Sequence, residues 1–455
     1  MDILGYKVTQ TLGRNNFDES ILPENEDNLL LISLCQKIAD ARNDDEIIAA
    51  INSLIEYGSN LENKMVPEII NYNVLEIVFK EFVKSISSNS PKIGFFLRSI
   101  GVLAAHEDEI VDFLHNANIY SFFGSLLKSE FLDDVLLLCN NIAATGEVYR
   151  DKIMRLLSIS RISILFEENS HSDITTMRIT KLLYTYTLFP LSITLIDSIC
   201  VLLEKLLSTQ SIDIHKYCLW AIHNVIDKPI DICKNIVERG TVMPILMYHL
   251  SGINEDMIKI SCLVIDDLAK SQSLTDLSPI ESLFLILNHP NNVIVHLVSQ
   301  CINHIVLSIR FYQDSSYHSQ LLLLIKRFLN EANYNAKEEM AYTLYLLVSH
   351  TEESVLMDLI SDGIIGLFPV LFEIENDRIT VRLFETLRLL VRCSLKNQII
   401  ASELLIYIAN NGIIDFAKQQ YGEKSLSESV LSFVSALTDA KTQFNIEIDI
   451  DHFIS

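Results

Sequence analysis

The chain has 455 residues, 49% of them hydrophobic, and its 35 basic and 59 acidic side chains give a formal charge of −24. This apolar fraction excludes a disordered chain, and 13 glycines with 9 prolines are too few for the many turns of a β-sandwich or barrel. The negative charge excludes the broad basic surface with which proteins bind phosphate backbones, so no nucleic-acid partner is expected.

The first 28 residues are polar and aperiodic, and they predict a loose, disordered leader whose only basic residues are Lys7 and Arg14. They lack the apolar core of a signal peptide. No run in the chain approaches the ~18 apolar residues of a membrane helix. We therefore expect an intracellular protein with no membrane partner.

Residues 29–440 have the apolar periodicity of helices almost throughout, with apolar side chains at i, i+3, i+4 and i+7. Segments such as DEIIAAINSLIEYG and LLLLIKRFL are typical, and short polar breaks such as LNHPNN separate them. Period-2 alternation occurs only at the end of the chain, in FNIEIDIDHFI, largely within a predicted acidic tail of residues 441–455. The sequence therefore predicts an all-α fold.

Two sets of residues recur with a regular spacing. In the first set, Gly240, Gly363 and Gly412 each precede an apolar helix, as do Asn73 and Asn118. Glycine and, after it, asparagine are the residues that most readily adopt positive φ in a tight helix–helix turn. The five residues therefore predict turns inside repeated helical units.

The second set lies in the helices of the same units. Asn224, Asp267, His304 and Leu346 align with one another 43, 37 and 42 residues apart, and Asn141 fits the same register. A helical period near 42 residues is typical of armadillo and HEAT arrays. In such arrays each unit buries its apolar face against its neighbours.

Several stretches resemble the importin-α family, an armadillo family of adaptors that carry basic nuclear localisation signals. CNNIAATGEVYRDKIM resembles the family's NIAG…RD segment, and YCLWAIHNVID with IVERGTVMPILMYHL resembles CWALS…VIEAGVCPRLVELL. The resemblance runs from about residue 33 to 440. It implies a right-handed armadillo superhelix of about ten repeats.

In that family the third helix of most repeats carries Trp and, four residues later, Asn. The amides hold the backbone of an extended peptide, and the indoles hold the stems of its Lys and Arg side chains. This sequence has one full pair, Trp220 and Asn224. Alternatively, that pair is a packing residue beside a capping or solvated amide. The other candidate peptide-binding residues are Asn141, Asp267, His304, Glu339 and Tyr342.

The resemblance implies a monomeric adaptor that binds basic segments of cargo proteins for nuclear import and is located in the cytoplasm and nucleus. Importin-β is a further possible partner, although residues 1–28 lack the basic segment by which the family recruits it. The alternative is an armadillo scaffold that has lost signal recognition and holds other proteins.

No nucleophile elbow, phosphate-binding loop or HExxH pair occurs in the sequence. We therefore expect no enzyme activity, catalytic residue, metal, cofactor or small-molecule substrate. The eight cysteines are scattered through apolar stretches without CxxC spacing. They are interpreted as small buried hydrophobic residues in a reducing compartment.

Overall fold

The fold is described by a computed structural model over residues 24–59, 73–105, 108–127, 130–226, 230–274, 278–308, 315–421 and 426–444. These residues are almost entirely helical, and none of them lies in a β-strand. The predicted all-α fold is confirmed. Most of the predicted leader and all but four residues of the predicted acidic tail lie outside the described residues, and the first helix begins at Glu24, five residues before the predicted start.

The chain divides into two compact units, Met1–Val225 and Ile226–Ser455. Unit 1 contains twelve described α-helices, the last of which ends on the first residue of unit 2. They are α1 Glu24–Asp40, α2 Asp44–Ser59, α3 Val74–Ser87, α4 Ile93–Ala104, α5 Asp108–Asn116, α6 Phe123–Leu126, α7 Leu132–Thr145, α8 Glu147–Leu156, α9 Ile159–Glu168, α10 Asp173–Thr187, α11 Ile193–Leu207 and α12 Ile212–Ile226.

Unit 2 contains thirteen described α-helices. They are α13 Ile230–Arg239, α14 Val242–Leu250, α15 Glu255–Lys270, α16 Ser278–Ile286, α17 Asn292–Leu307, α18 Ser315–Leu329, α19 Tyr334–His350, α20 Glu353–Ser361, α21 Phe368–Leu371, α22 Asp377–Ser394, α23 Gln398–Asn410, α24 Ile413–Gln420 and α25 Ser427–Phe444. Short 3₁₀ turns, Ile119–Phe122 and Ile364–Leu367, lead directly into α6 and α21.

Nine long helices recur at a regular spacing and close successive repeats. They begin at residues 93, 132, 173, 212, 255, 292, 334, 377 and 427, which is 37 to 50 residues apart. We call these nine helices (α4, α7, α10, α12, α15, α17, α19, α22 and α25) the third helices. In unit 1, α4, α7 and α10 pack in sequence order, and in unit 2 α15, α17, α19, α22 and α25 do the same. This is an armadillo-type stack, while the number of about ten repeats stays a prediction.

The predicted turns have the predicted backbone conformation. Gly240, Gly363 and Gly412 have φ of 75°, 78° and 73°, and Asn73 and Asn118 have φ of 52° and 54°. Four of the five lie between the first two helical segments of a repeat, where the chain reverses within two or three residues. Positive φ costs an ordinary L-residue about 1 kcal/mol or more, which is why glycine and asparagine occupy these positions.

Asparagine also caps four of the five third helices of unit 2. The side chains of Asn254, Asn291, Asn333 and Asn376 each accept a hydrogen bond from a backbone N–H in the first turn, at 2.9 to 3.4 Å. An N-cap of this kind satisfies donors that the helix itself cannot pair. The four caps therefore define where α15, α17, α19 and α22 start.

The core lies between the helices of consecutive repeats. Ile265 and Leu268 on α15 and Ile302 and Ile305 on α17 are at most 1% exposed. All eight cysteines are buried free thiols, which confirms their interpretation as hydrophobic core residues. Burial raises the pKa of the Cys262 thiol to about 12, so it stays protonated and unreactive near neutral pH.

None of the described helices is by itself both long and apolar enough to cross a membrane. Two bent pairs, α20 with Ile364–Leu371 and α23 with α24, meet the criterion on length and composition alone. Among the described residues, no group of three or more His, Cys, Asp or Glu is placed to hold a metal ion.

Candidate functional site on the third helices

The predicted site residues all lie on third helices. On α12, α15, α17 and α19 these residues are half-buried, and we call the side of these helices that carries them the third-helix face; its residues are Trp220, Asn224, Asp267, His304, Glu339 and Tyr342. Asn224, Asp267, His304 and Leu346 each stand twelve residues beyond the first residue of their helix. The periodicity is therefore real, but Leu346 is only 5% exposed, so this position does not point to solvent in every repeat.

Asn141 is buried and holds two helices together. It is 2% exposed, and its amide Nδ2 donates a hydrogen bond to the backbone carbonyl of Gly101 on α4, 2.8 Å away. Its Oδ1 accepts from Asn140, whose own Oδ1 accepts from Thr185 on α10. Both ends of the Asn141 amide are thus used inside the stack, and a peptide-binding role for Asn141 stays a prediction that this geometry does not support.

Trp220 and Asn224 are both half-buried on α12. The Asn224 amide donates to the hydroxyl of Thr187 on α10 at 3.1 Å. Its carbonyl oxygen has no hydrogen-bond partner among the described residues. The Trp220 ring lies edge-on to His223 at 5.6 Å. The pair thus retains both an apolar surface and a free acceptor, although part of the asparagine is used structurally.

Cations already lie close to this part of unit 1. The Nζ atom of Lys181 lies 5.0 Å above the ring of Tyr217, which precedes Trp220 by three residues on α12. Lys181 is only 3% exposed. The Tyr217 ring, one turn before Trp220, is therefore already occupied by a cation of the chain itself.

The acidic partner of His304 is Asp266 and not Asp267. The Nδ1 atom of His304 on α17 lies 2.5 Å from the Asp266 carboxylate on α15, and the Lys270 ammonium lies 2.6 Å from the other carboxylate oxygen. Asp267 is half-buried and lies near Cys233 on α13, whose thiol pKa is raised mainly by burial and also by the Asp267 charge, while a hydrogen bond from Ser271 opposes the shift. The register read from the sequence therefore indicated Asp267, whereas its neighbour Asp266 is the residue that contacts the next repeat.

Glu339 on α19 is a half-buried carboxyl group directed towards α17. Its pKa is raised from 4.5, mainly by burial, while a hydrogen bond from Ser299 and the charge of His296 oppose the shift. The neighbouring Glu338 accepts a hydrogen bond from Asn376 at 2.6 Å. Burial therefore disfavours the charged form of Glu339, and a bound cation would stabilise that form.

Tyr342 lies one turn beyond Glu339 on the same face. Its ring is 6.1 Å from that of Tyr345, and the two planes are inclined by 30°. The Arg382 guanidinium on α22 lies 4.6 Å above the Tyr345 ring and donates to the Tyr345 hydroxyl at 3.0 Å. Tyr345 thus already holds a cation of the chain itself, whereas Tyr342 is half-buried and keeps part of its ring at the surface.

Three of the predicted residues lie on adjacent helices of unit 2, His304 on α17 and Glu339 and Tyr342 on α19, but the partner of His304 is Asp266, whereas Glu339 meets Ser299 and His296. Trp220 and Asn224 form a separate pair in unit 1. Sequence reasoning missed Asp266, Tyr345 and Arg382. The residue types gave a signal in each case, but Asp266 meets His304 38 residues away and Tyr345 meets Arg382 37 residues away, and only the packing of the helices shows which pairs meet.

No family model matches the sequence, and no curated protein matches it. Among solved structures, an engineered protein determined by the Northeast Structural Genomics Consortium is 15% identical, with a TM-score of 0.60 over 90% of this chain and 98% of its own. A designed armadillo repeat protein is 20% identical, with a TM-score of 0.43 over 52% of this chain and 99% of its own. At these identities the likeness concerns the fold alone.

Proposed function

We propose that this chain binds an extended segment of another protein on its third-helix face and acts as an importin-α-like adaptor for basic segments. The observation that carries the proposal is the pairing of Glu339 with Tyr342, a half-buried carboxyl group and a tyrosine ring one turn apart on α19. None of the described residues forms an ion pair with Glu339.

A lysine or arginine side chain fits this pair chemically. Its aliphatic stem packs on the Tyr342 ring, and its charge meets the Glu339 carboxylate. The gain is larger than at an exposed acid, because the bound cation offsets the burial cost that raises the Glu339 pKa. The Asp266 carboxylate on α15 adds a second negative group, although His304 and Lys270 share it.

In unit 1, Trp220 and Asn224 supply contacts of a different kind. The indole offers apolar surface, and the free carbonyl oxygen of Asn224 can accept a hydrogen bond from a peptide N–H. With these two sites the chain would serve nuclear import as a monomer in the cytoplasm and nucleus. Importin-β would have to be recruited without a basic leader.

The experiment is a titration of a fluorescent lysine- and arginine-rich peptide, followed by anisotropy. Glu339→Gln and Tyr342→Ala are each expected to weaken binding about tenfold or more, as hot-spot truncations do. Trp220→Ala and Asn224→Ala test the contacts in unit 1 in the same assay. Binding should also strengthen as the pH rises through the Glu339 pKa, because the carboxylate then forms.

Matched controls lie away from this face. Tyr248 on α14 is 64% exposed, and Glu428 on α25 is exposed, so Tyr248→Ala and Glu428→Gln should leave the affinity unchanged. Circular dichroism checks that each variant is folded. If the wild type shows no saturable binding at low salt, the adaptor proposal fails.

That outcome would favour the second candidate, an armadillo scaffold without signal recognition. One observation specifically supports it. The Asn141 amide, which the resemblance assigns to the peptide, is bound to Gly101 inside the stack. At least this one of the aligned asparagines thus stabilises the fold in this chain.

A further inference from the structure

Helix α22 presents an arginine-rich face that none of the contacts above explains. Arg378, Arg382, Arg388 and Arg392 fall within about a third of the helix circumference, given 100° per residue. One acid, Glu385, lies among them and pairs with Arg382 at 2.9 Å. Four arginines against one glutamate leave a local excess of three positive charges on a chain whose formal charge is −24.

The cations on the other third helices of unit 2 are neutralised by nearby acids. Lys259 pairs with Glu255, Lys270 with Asp266, and Lys337 with Glu373. On α22, by contrast, the guanidinium groups of Arg378, Arg388 and Arg392 have no ion-pair partner among the residues that the structure describes. Arg378 and Arg392 are exposed, and Arg388 is half-buried.

The fourth arginine is held in a fixed position. Arg382 lies on the Tyr345 ring, donates to the Tyr345 hydroxyl, and is also held by Glu385. All the hydrogen bonds in which it donates use one terminal nitrogen, Nη1. A guanidinium group has five N–H donors in a rigid fork, so the remaining donors of Arg382 are preorganised for a carboxylate.

We propose that the arginine face of α22 is a docking surface for an acidic segment of a partner protein, in which Asp or Glu occupies alternate positions. The four arginines extend over fourteen residues of helix, about 21 Å. An extended segment of about six residues has this length, and its alternate side chains are about 6.6 Å apart. That spacing is close to the ~6 Å between arginines four residues apart on a helix, such as Arg378 and Arg382.

Leu389 lies between the arginines on the same face and is half-buried. It gives such a segment a small apolar contact beside the charged ones. This surface adjoins the Glu339–Tyr342 pair, because Arg382 lies on the Tyr345 ring beside Tyr342, but it binds the opposite charge and uses none of the residues assigned to the basic segment.

The experiment is an anisotropy titration of the full chain with a labelled peptide in which Glu alternates with Thr. Saturable binding at low salt is expected, and it should weaken as salt increases, because exposed charges are screened. The same peptide with Gln in place of Glu should not bind. The triple variant Arg378→Gln, Arg388→Gln, Arg392→Gln should lose about tenfold in affinity, since each exposed pair contributes modestly.

The matched control removes three exposed cations elsewhere, as Lys80→Gln, Arg155→Gln and Lys234→Gln, and should bind like the wild type. An equal loss in both triple variants would show an effect of net charge and overturn the proposal. Tighter binding of a single-stranded oligonucleotide than of an acidic peptide of the same charge would also overturn the proposal. The basic peptide is also titrated against the arginine triple variant. The affinity of this variant for the basic peptide should not fall, so failure of the arginine face can be told apart from failure of the proposed function.

Discussion

The side-chain amide of Asn141 donates a hydrogen bond to the backbone carbonyl of Gly101, 2.8 Å away and 40 residues earlier in the chain. Both residues are buried, so the bond joins consecutive third helices inside unit 1. Asn224 makes a comparable bond to Thr187, but from a half-exposed position with its carbonyl oxygen free. Asn141 and Asn224 occupy equivalent positions, but only Asn224 keeps a side-chain oxygen that a ligand could use as a hydrogen-bond acceptor.

Asn141→Ala should lower the free energy of unfolding of unit 1 by about 1–3 kcal/mol, because it removes a buried hydrogen bond and leaves polar groups unsatisfied. Asn224→Ala, at a half-exposed site, should cost less. Trp220 is the only tryptophan in the chain and lies in unit 1, so its fluorescence during urea unfolding reports this unit. Equal losses in the two variants would contradict the distinction.

Gly412→Ala should destabilise unit 2 by about 1 kcal/mol through the backbone alone. Its φ is 73°, and a Cβ atom there would meet nothing within 4 Å, so no steric clash contributes. Gly124→Ala is the matched control, because Gly124 lies in helix α6 without positive φ and with equal space around it. The control should be neutral or stabilising by about 0.5 kcal/mol. Thermal unfolding followed by circular dichroism measures both, and a stabilised Gly412→Ala variant would refute the strain argument.

Glu339 should make the stability of unit 2 depend on pH. Its pKa is raised from 4.5 in the folded chain, mainly by burial, so the folded state keeps a proton that the unfolded state has lost. The free energy of unfolding therefore falls as the pH rises from the ordinary pKa to the raised one, and the full loss persists above both.

Glu339→Gln cannot titrate, so its stability relative to the wild type should increase over this pH interval and then level off. Urea unfolding at several pH values between about 4 and 7, followed by circular dichroism, measures the difference. A constant difference between Glu339→Gln and the wild type over this range would mean that burial does not perturb this carboxyl group.

The elements that sequence reasoning predicted are those that local chemistry determines. Helices follow from the period of the apolar residues, and the turns at Gly240 and Asn118 follow from the cost of positive φ, which is a property of one residue and its backbone. The 37- to 50-residue recurrence of the third helices could likewise be read from the order of the residues. For the same reason the third-helix positions of Asn224 and His304 were predicted correctly.

Only the tertiary structure decided what each of these side chains contacts. Residues 266 and 267 differ by 100° around one helix, and the packing of α15 against α17 places Asp266, not Asp267, against His304. The packing of other third helices likewise buries Asn141 against Gly101 and brings Arg382 onto Tyr345. A period in the sequence determines a position along a helix to within one residue, but one residue corresponds to about a quarter of a helical turn. Which way a side chain points therefore depends on how each helix is rotated against its neighbours. That rotation is set by the close packing of the whole core, which the sequence period does not contain.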